Sequence, residues 1–492
     1  MESSYSRRDF MRAGLGMIAV SPWARVFAAD PGSADVSGAR IKVGVLSDTH
    51  IIEYGTEGEK EAKRSFCTRT FRRTLEKFRK DGVDAVLIAG DISNDGFDSQ
   101  LMAVGEAWRK VFPGDCGADG RKVAKLFIAG NHDWEGWKYA RIGLKTYKTE
   151  EEMKKHLLAE HLDEIWQAAF GEKFSPFVDT EVGGYRFIGA HWPFHNKAAA
   201  YLKGVEHTLP KDKPFFYFQH PPLPPPSNGE RKGRRSSTAE SVLSSFPNAI
   251  AITGHTHESL TDEKTIAYNS FTTVNASSLR YVEPPAGREN SGPMRNSGFK
   301  QMPRIDMSFV RHGMLMTVCG DRVVFSRRDC MNNLPLGPDW VVDFSARERL
   351  AVKPRAEAAK PPAFAPGAKV RITEEKDGMT RGREKSRQIG VVFDQAMRSS
   401  PGRGRVFDYR VEVKISQGGL VGETYAVRRF IAEGFAGPEE NMPPEMVCLF
   451  DAQSLPHECA LEFSVRAADC FGNLSAPISS GIVKIKGVVV RW

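Results

Sequence analysis

Five short apolar runs, each closing on a side chain able to hold a metal, constrain this chain more than any other feature. The runs are IKVGVLSD, DAVLIAGD, KLFIAGN, FFYFQH and AIAITGH, and they end on Asp48, Asp91, Asn131, His220 and His255. Each run is too short for a stable helix and rich in β-branched or aromatic residues, which describes a strand buried on both faces. Open α/β sheets gather their functional groups at the C-terminal ends of such strands. The first two runs are followed by amphipathic stretches, CTRTFRRTLEKFRK over 67–80 and a second over 98–112. The order βαβαβ predicts a layered α/β fold with parallel strands.

Further along, EEMKKHLLAEHLDEIWQAAF (151–170) has the 3.6-residue period of a helix, and FVDTEVGGYRFIGAH (177–191) is a hairpin turning at Gly183-Gly184. A Pro-rich, then basic, surface loop occupies 221–237, and more strands are expected at 265–269, 272–276, 313–318 and 322–326. Residues 351–367 have the composition of a linker. Beyond it, alternating patterns such as YRVEVKI, TYAVRRF and ALEFSVRA predict a separate all-β domain over 368–492. At 492 residues the chain exceeds one compact domain, and the catalytic half is expected over 38–350.

The N-terminus reads as an address. Arg7 and Arg8 lie in SRRDFMR, followed by the apolar stretch AGLGMIAV and by Val26-Phe27-Ala28, a site that a signal peptidase could cut. This pattern resembles a twin-arginine export signal over residues 1–28, a route for proteins that fold, and load their metals, before export through the twin-arginine translocase. The apolar run is too short to span a bilayer, which takes about 20 residues, and no other segment can do so. The mature protein is expected outside the cytoplasm, periplasmic or extracellular. The formal charge of +8 falls to about +6 without residues 1–28, a mild excess that suits phosphate esters as well as nucleic acid. The seven cysteines form no CxxC pair, which argues against a thiolate zinc site. Disulfides among Cys319 and Cys330, or among Cys448, Cys459 and Cys470, stay open.

The site chemistry follows from the residue types. A two-metal hydrolase holds its cations about 3.5–4 Å apart through a shared oxygen ligand. A carboxylate can bridge and a neutral imidazole cannot, so Asp91, at the end of a central strand, is the natural bridge. Asp48, His50, His255 and His257 complete the sites, Asn131 adds a neutral oxygen, and His220 adds a nitrogen. Mixed nitrogen and oxygen donors suit Mn, Fe or Zn rather than Ca or Mg. His132 should face the substrate rather than the metals, with Asp133 placed to orient it.

The ordered set Asp48-Thr49-His50, Gly90-Asp91, Gly130-Asn131-His132-Asp133, His220 and Gly254-His255-Thr256-His257 resembles the calcineurin-like metallophosphoesterase superfamily. The resemblance spans 48–257 and implies a four-layer α/β/β/α sandwich, here followed by a smaller all-β sandwich. It implies one metal at Asp48, His50, Asp91 and His257, and a second at Asp91, Asn131, His220 and His255, each divalent or trivalent. His132 becomes the group that protonates the leaving oxygen or steadies the phosphoryl group. The attacking group becomes a metal-bridging hydroxide displacing in line at phosphorus. Two branches of the superfamily are disfavoured. The protein Ser/Thr phosphatases carry Asp-Arg-Gly after the second-block Asp, where this chain has Ile92-Ser93-Asn94-Asp95-Gly96. The purple acid phosphatases carry a Tyr ligand where this chain has Asn94. The C-terminal stretch SVRAADCFGNLSAPIS resembles the last strand pair of a fibronectin-type sandwich.

The expected function is hydrolysis of small phosphomonoesters or phosphodiesters. Two alternatives are a nuclease or cyclic-nucleotide phosphodiesterase, and a surface binding module with an inactive phosphoesterase fold. The cluster Arg231, Lys232, Arg234 and Arg235 is either a guide for anionic substrates, nucleic acid being allowed but not favoured, or a solvated loop. His191 and His195 either line the pocket or serve structure, His156, His161 and His207 are expected at the surface, and Trp134 and Trp137 wall or underlie the site.

Overall fold

Strand β1 (Ile41–Leu46) lies at the centre of the first of two facing sheets. In the computed structural model, the residues described are 33–52, 59–139, 147–224, 238–291, 305–379, 385–396, 405–416, 422–437, 442–456 and 459–484. The twin-arginine segment and the basic cluster at 231–235 lie outside them. After β1 come α1 (Glu59–Asp81), β2 (Ala85–Ala89), α2 (Asp98–Val111) and β3 (Ala124–Ile128), and β1, β2 and β3 pair in parallel. The predicted βαβαβ unit is therefore present.

The chain continues through α3 (Asn131–Glu135), α4 (Glu150–Lys154), α5 (Leu162–Phe170), β4 (Phe177–Val182), β5 (Tyr185–Ala190), α6 (Ala198–Val205), β6 (Phe215–Gln219), α7 (Glu240–Leu243), β7 (Ala249–Thr253), β8 (Ile266–Tyr268) and β9 (Thr272–Asn275). These strands build the second sheet in the order β4-β5-β6-β7-β9-β8. The chain then returns to the first sheet with β10 (His312–Val318), β11 (Arg322–Asp329), β12 (Leu334–Pro335) and β13 (Trp340–Asp343), where β10 pairs antiparallel with β1.

Side-chain alternation explains the unbroken apolar runs. Val43, Val45, Leu87 and Ala89 point into the core between the sheets, where they meet Phe187, Phe216, Phe218, Ile250 and Ile252. Their neighbours Leu46, Val86 and Ile88 point the other way, onto the cluster that holds Phe71, Leu75, Leu101 and Trp108 of α1 and α2. On the far face of the second sheet, Phe215 and Tyr217 pack with Leu202 and Leu243 of α6 and α7. The result is the α/β/β/α order of layers. The expected single helix over 151–170 is instead two, because residues between α4 and α5 leave the helix to pair with the loop before α2. Asp98 N–H donates to the His156 carbonyl at 2.8 Å and Leu158 N–H to Gly96 at 2.9 Å.

The expected linker contains α8 (Val352–Ala358), and the sandwich after it has strands β14 (Val370–Met379), β15 (Lys385–Asp394), β16 (Asp408–Ile415), β17 (Thr424–Ile431), β18 (Glu445–Asp451), β19 (Ala460–Ala468) and β20 (Ile478–Lys484). They form two antiparallel sheets, β14-β15-β18 and β17-β16-β19-β20, around one apolar core. The linker is docked rather than loose: Asn473 Nδ2 donates to the Ala356 carbonyl at 2.9 Å, and Arg355 reaches the carbonyls of Glu263 and Ile266. All seven cysteines are free thiols, so the disulfides left open by the sequence do not form here. Among the described residues, no helix is long and apolar enough to cross a membrane.

His312 joins the two halves. Its Nδ1 accepts from Leu260 N–H at 3.2 Å and its Nε2 donates to the Ala436 carbonyl of the sandwich at 2.8 Å. Burial lowers its pKa from 6.5 to about 3; the Ala436 hydrogen bond opposes this, and the nearby Arg405 and Arg327 reinforce it. A histidine neutral in the fold but titrating near 6.5 when unfolded contributes fully above pH 6.5. That contribution drains away toward pH 3, at up to about 1.4 kcal/mol per pH unit. The urea midpoint should therefore fall between pH 6.5 and 4, with a shallower slope in His312→Gln; an unchanged slope in the variant would contradict the assignment.

Candidate metal centre

The strands end where the candidate ligands begin. Asp48 follows β1, Asp91 follows β2, Asn131 opens α3 just after β3, His220 follows β6 and His255 follows β7. Eight non-glycine residues have positive φ among those described, and five of them are here: Asp48 (50°), His50 (41°), Asp91 (50°), His255 (72°) and His257 (51°). Each such residue costs about 1–3 kcal/mol and persists only where its surroundings over-determine it. Here the loops brace each other, with Asp48 N–H donating to Gly90 and His50 N–H to Asp91, both at 3.0 Å.

The two carboxylates are fully buried, and each is tied by one oxygen while the other faces the centre. Asp48 Oδ2 accepts from Ser47 Oγ at 2.6 Å and from His255 N–H at 2.9 Å. Asp48 Oδ1 stands 2.9 Å from His257 Nε2, 3.7 Å from His50 Nε2 and 4.0 Å from His220 Nε2. Asp91 Oδ1 accepts from His132 N–H at 2.8 Å, while its Oδ2 lies 3.1 Å from His220 Nε2 and 3.6 Å from His50 Nε2. One oxygen of Asp91 thus faces an imidazole from each predicted half-site. Burial pushes both carboxyl pKa values up, but the imidazoles beside them win: His257 and His220 lower Asp48, and His220 and His50 lower Asp91.

The imidazoles are aimed by what their outer nitrogens touch. His220 Nδ1 meets the Ala89 carbonyl at 2.7 Å and His257 Nδ1 meets the Tyr281 carbonyl at 2.9 Å. A carbonyl can only accept, so these contacts place a ring proton on each outer Nδ1 and turn both Nε2 atoms inward. His255 uses its other nitrogen, with Nδ1 3.2 Å from His220 Nε2. Burial lowers the His50 pKa to about 4. Burial also opposes charge on His220, yet Asp91 and Asp48 hold its pKa at about 9. The buried anions therefore demand positive charge at this spot. Donor atoms lie within 4.8 Å of one another in Asp48, His50 and His257, in Asp91, His220 and His255, and in His50, Asp91 and His132. Asn131 Oδ1 is buried without a hydrogen-bond partner, an arrangement proteins rarely leave uncompensated. An all-nitrogen-and-oxygen donor set around an orphaned amide oxygen fits a pair of borderline cations.

His132 is half-buried, and its Nδ1 meets the Asn94 carbonyl at 2.7 Å, which leaves Nε2 uncommitted to that contact. Asp133 does not carry the His132 ring, contrary to the expectation from sequence. Its two oxygens serve four donors: Ile92 N–H (3.0 Å), Gly130 N–H (2.8 Å), Ser93 N–H and Ser93 Oγ (both 2.6 Å). Burial and the neighbouring Asp91 raise its pKa to about 6, while those four donors favour the charged form. Asp133 is a positioning residue that clamps the second and third loops together, and its carboxylate acts on the His132 ring through the loop carrying Asn94.

Several contributors escape sequence reasoning. Asn275, fully buried, donates to the Gly254 carbonyl and to Thr256 Oγ1, both at 2.9 Å, and so shapes the loop after β7. Ser278 Oγ donates to the Asp48 carbonyl at 3.0 Å, and the Tyr281 ring lies 4.4 Å from the His257 ring. The one available signal is that β9, like the strands that precede the candidate ligands, is rich in β-branched residues and ends on a polar side chain, Asn275. His191 is structural: its Nδ1 accepts from Ala129 N–H at 3.0 Å, and burial lowers its pKa to about 3. His195 is half-buried, with its pKa lowered to about 4 by burial and then by His220. Trp134 packs edge-on against Phe194. Tyr139, 61% exposed, lies 5.4 Å from the His132 ring at the mouth.

Residues 41–259 match the family model described as calcineurin-like phosphoesterase, and this stretch is a domain of that kind. Among solved structures, a dimetal phosphatase from Danio rerio aligns at 13% identity over 62% of this chain and 99% of its own, with a TM-score of 0.36. Purple acid phosphatase PPD1 from yellow lupin (Lupinus luteus) aligns at 12% over 61% of this chain and 53% of its own, with a TM-score of 0.38. Zinc-complexed Vps29 from Entamoeba histolytica aligns at 12% over 62% and 99%, with a TM-score of 0.27. No curated protein matches the chain.

Two glycines let the loops close on the ligands. A Cβ on Gly130 would collide with Asp91 Oδ1 and the Asp91 backbone, and one on Gly254 would collide with Ser47 Oγ and Asp48 Oδ2. Neither obstacle is a flexible side-chain tip, so Gly130→Ala and Gly254→Ala should each displace a carboxylate. Calorimetric titration with Mn2+ should show a loss of roughly 10- to 100-fold in affinity, the range seen when ligand-orienting contacts are lost. Wild-type affinity in both variants would rule out this role.

Proposed function

We propose that the protein is an exported dinuclear-metal phosphoesterase that hydrolyses small phosphomonoesters or phosphodiesters. The observation that carries this reading is the placement of Asp91 Oδ2 between His220 and His50, with Asp48 Oδ1 beside the same imidazoles. Asp48, His50, Asp91 and His257 would hold one ion, and Asp91, Asn131, His220 and His255 the other. Mn, Fe or Zn suits these donors. Two cations held there would supply charge that draws in and neutralises a phosphoryl group and would lower the pKa of water toward neutrality.

The chain's own residues do the rest. The tied oxygens of Asp48 and Asp91 cost no reorganisation during reaction, because Ser47, His255 and His132 already hold them. His132, fixed through Nδ1 by Asn94, presents Nε2 to hold or donate the proton of the leaving oxygen. Buried loops around Asp133 exclude bulk water from beneath the centre. The C-terminal domain is best described as a fibronectin-type sandwich, a reading supported by its division into sheets of three and four antiparallel strands.

Asp91→Asn should fold normally by circular dichroism and lose about 100- to 1,000-fold or more in kcat on bis(4-nitrophenyl) phosphate. Equal activity would defeat the proposal. His132→Ala should cost about 100-fold or more with an alkyl leaving group and far less with nitrophenolate, which departs without a proton. The same loss for both would remove His132 from that role. Export is tested separately: replacing Arg7 and Arg8 by lysine should leave the protein in the cytoplasm, and unaltered secretion would refute a twin-arginine route.

A further inference from the structure

The segment after β9 belongs to both halves of the molecule. At its near end it touches the metal centre at four points. Ser278 Oγ donates to the Asp48 carbonyl at 3.0 Å, and Leu279 N–H to the Ser47 carbonyl at 3.1 Å. The Tyr281 carbonyl accepts from His257 Nδ1 at 2.9 Å, and Glu283 N–H donates to the His257 carbonyl at 2.8 Å. A few residues on, the same segment is built into the sandwich. Val282 sits in the sandwich core. Arg288, 2% exposed, pairs through Nε with the fully buried Asp408 of β16 at 2.9 Å, and Arg429 holds the same carboxylate oxygen. Glu289 N–H donates to the Arg429 carbonyl at 3.0 Å, and the Glu289 carboxylate receives Arg428. Asn290 pairs with both backbone groups of Ile431, donating to its carbonyl at 3.0 Å and accepting from its N–H at 2.8 Å.

We propose that the C-terminal sandwich is a positioning element for the metal centre, acting through Arg288 and Asn290 on the strap 277–290. The proposal rests on the dinuclear-metal reading above. The physical link is the outer nitrogen of His257. A histidine ligand is a good donor only while its second nitrogen is held, and loss of such a partner typically weakens metal binding by about 10- to 100-fold. For His257 that partner is a backbone carbonyl, Tyr281, which no side-chain change can supply or withdraw. Its position depends on where the strap is anchored. The anchors are side chains and the Glu289 amide on the strap, held by backbone and side chains of β16 and β17 in the sandwich. A buried ion pair with a bidentate amide resists sliding in a way that apolar contact alone does not, because slippage strands a buried charge. Arg288 and Asn290 touch neither substrate nor metal, and they act on His257 only through Tyr281 and Glu283.

The test uses the full-length protein with Mn2+ as the probe. Mn2+ affinity is measured by calorimetry, and hydrogen exchange is followed over 277–283. Asn290→Ala and Arg288→Gln should lower the affinity of one of two Mn2+ ions by about tenfold or more. Both should speed exchange at the Glu283 amide even without metal, while Arg288→Lys should restore most of the affinity. Asn473→Ala, which cuts a tie between the sandwich and the linker helix α8 that bypasses the strap, should leave both readouts at wild-type values. Folded strap variants with wild-type affinity and exchange would overturn the proposal, and so would an equal loss in Asn473→Ala, which would signal general adhesion of the domains. If Asn290→Ala is the only strap variant to fold, its two readouts decide alone. Wild-type protein that takes up no Mn2+ would instead overturn the dinuclear reading itself, and the strap proposal with it.

Discussion

Two like charges buried side by side govern this structure. Asp48 and Asp91 follow adjacent parallel strands, both at most 1% exposed, and among the described residues the groups that hold their pKa values down are imidazoles. Carboxylates removed from water cost several kcal/mol each unless positive charge and hydrogen bonds compensate. Everything nearby answers that demand. Backbone amides of His255 and His132, with the Ser47 hydroxyl, bind the outer oxygens. Three imidazoles, His50, His220 and His257, lie within 4.0 Å of the inner ones, and His220 is drawn toward the charged form against its own burial.

Meeting that demand dictates the loops. Five candidate-ligand positions take positive φ, which turns their side chains inward after a strand instead of continuing the pleat. Such turns are stable here because each loop closes on the next: Gly130 packs against Asp91, Gly254 against Asp48, and Asp133 fastens the loops after β2 and β3 through four hydrogen bonds. The two sheets meet through an apolar core of alternating side chains, and this holds the strand ends in register. Rigidity at the centre is thus a property of both sheets together.

Much of this was legible in the sequence because burial on both faces leaves an unmistakable mark. Strands β1, β2, β3, β6 and β7 are continuous apolar runs, and their ends coincide with the chemistry. The helix expected over 151–170 divides because tertiary hydrogen bonds from the loop before α2 outcompete the local period, a cost invisible to periodicity. Asp133 follows His132 directly, so adjacency suggested a pair; the turn at α3 sends the two side chains in different directions. His312 gave no sign of its role, since a histidine that bridges domains looks like any other until both partners are in place.

What the sequence alone determined is the kind of atoms available and their order: strand, acid, strand, acid, strand, amide, strand, imidazole, strand, paired imidazoles. That follows from local patterning, which a short run of residues specifies without reference to the rest of the chain. Tertiary structure decided how those atoms are aimed. Which oxygen of Asp91 faces inward, which nitrogen of His257 is occupied by Tyr281, and how the strap from β9 is fastened to the sandwich all depend on contacts between residues far apart in the chain. Hydrogen-bond direction over a few ångströms sets these choices, and it exists only once the sheets and the sandwich have packed.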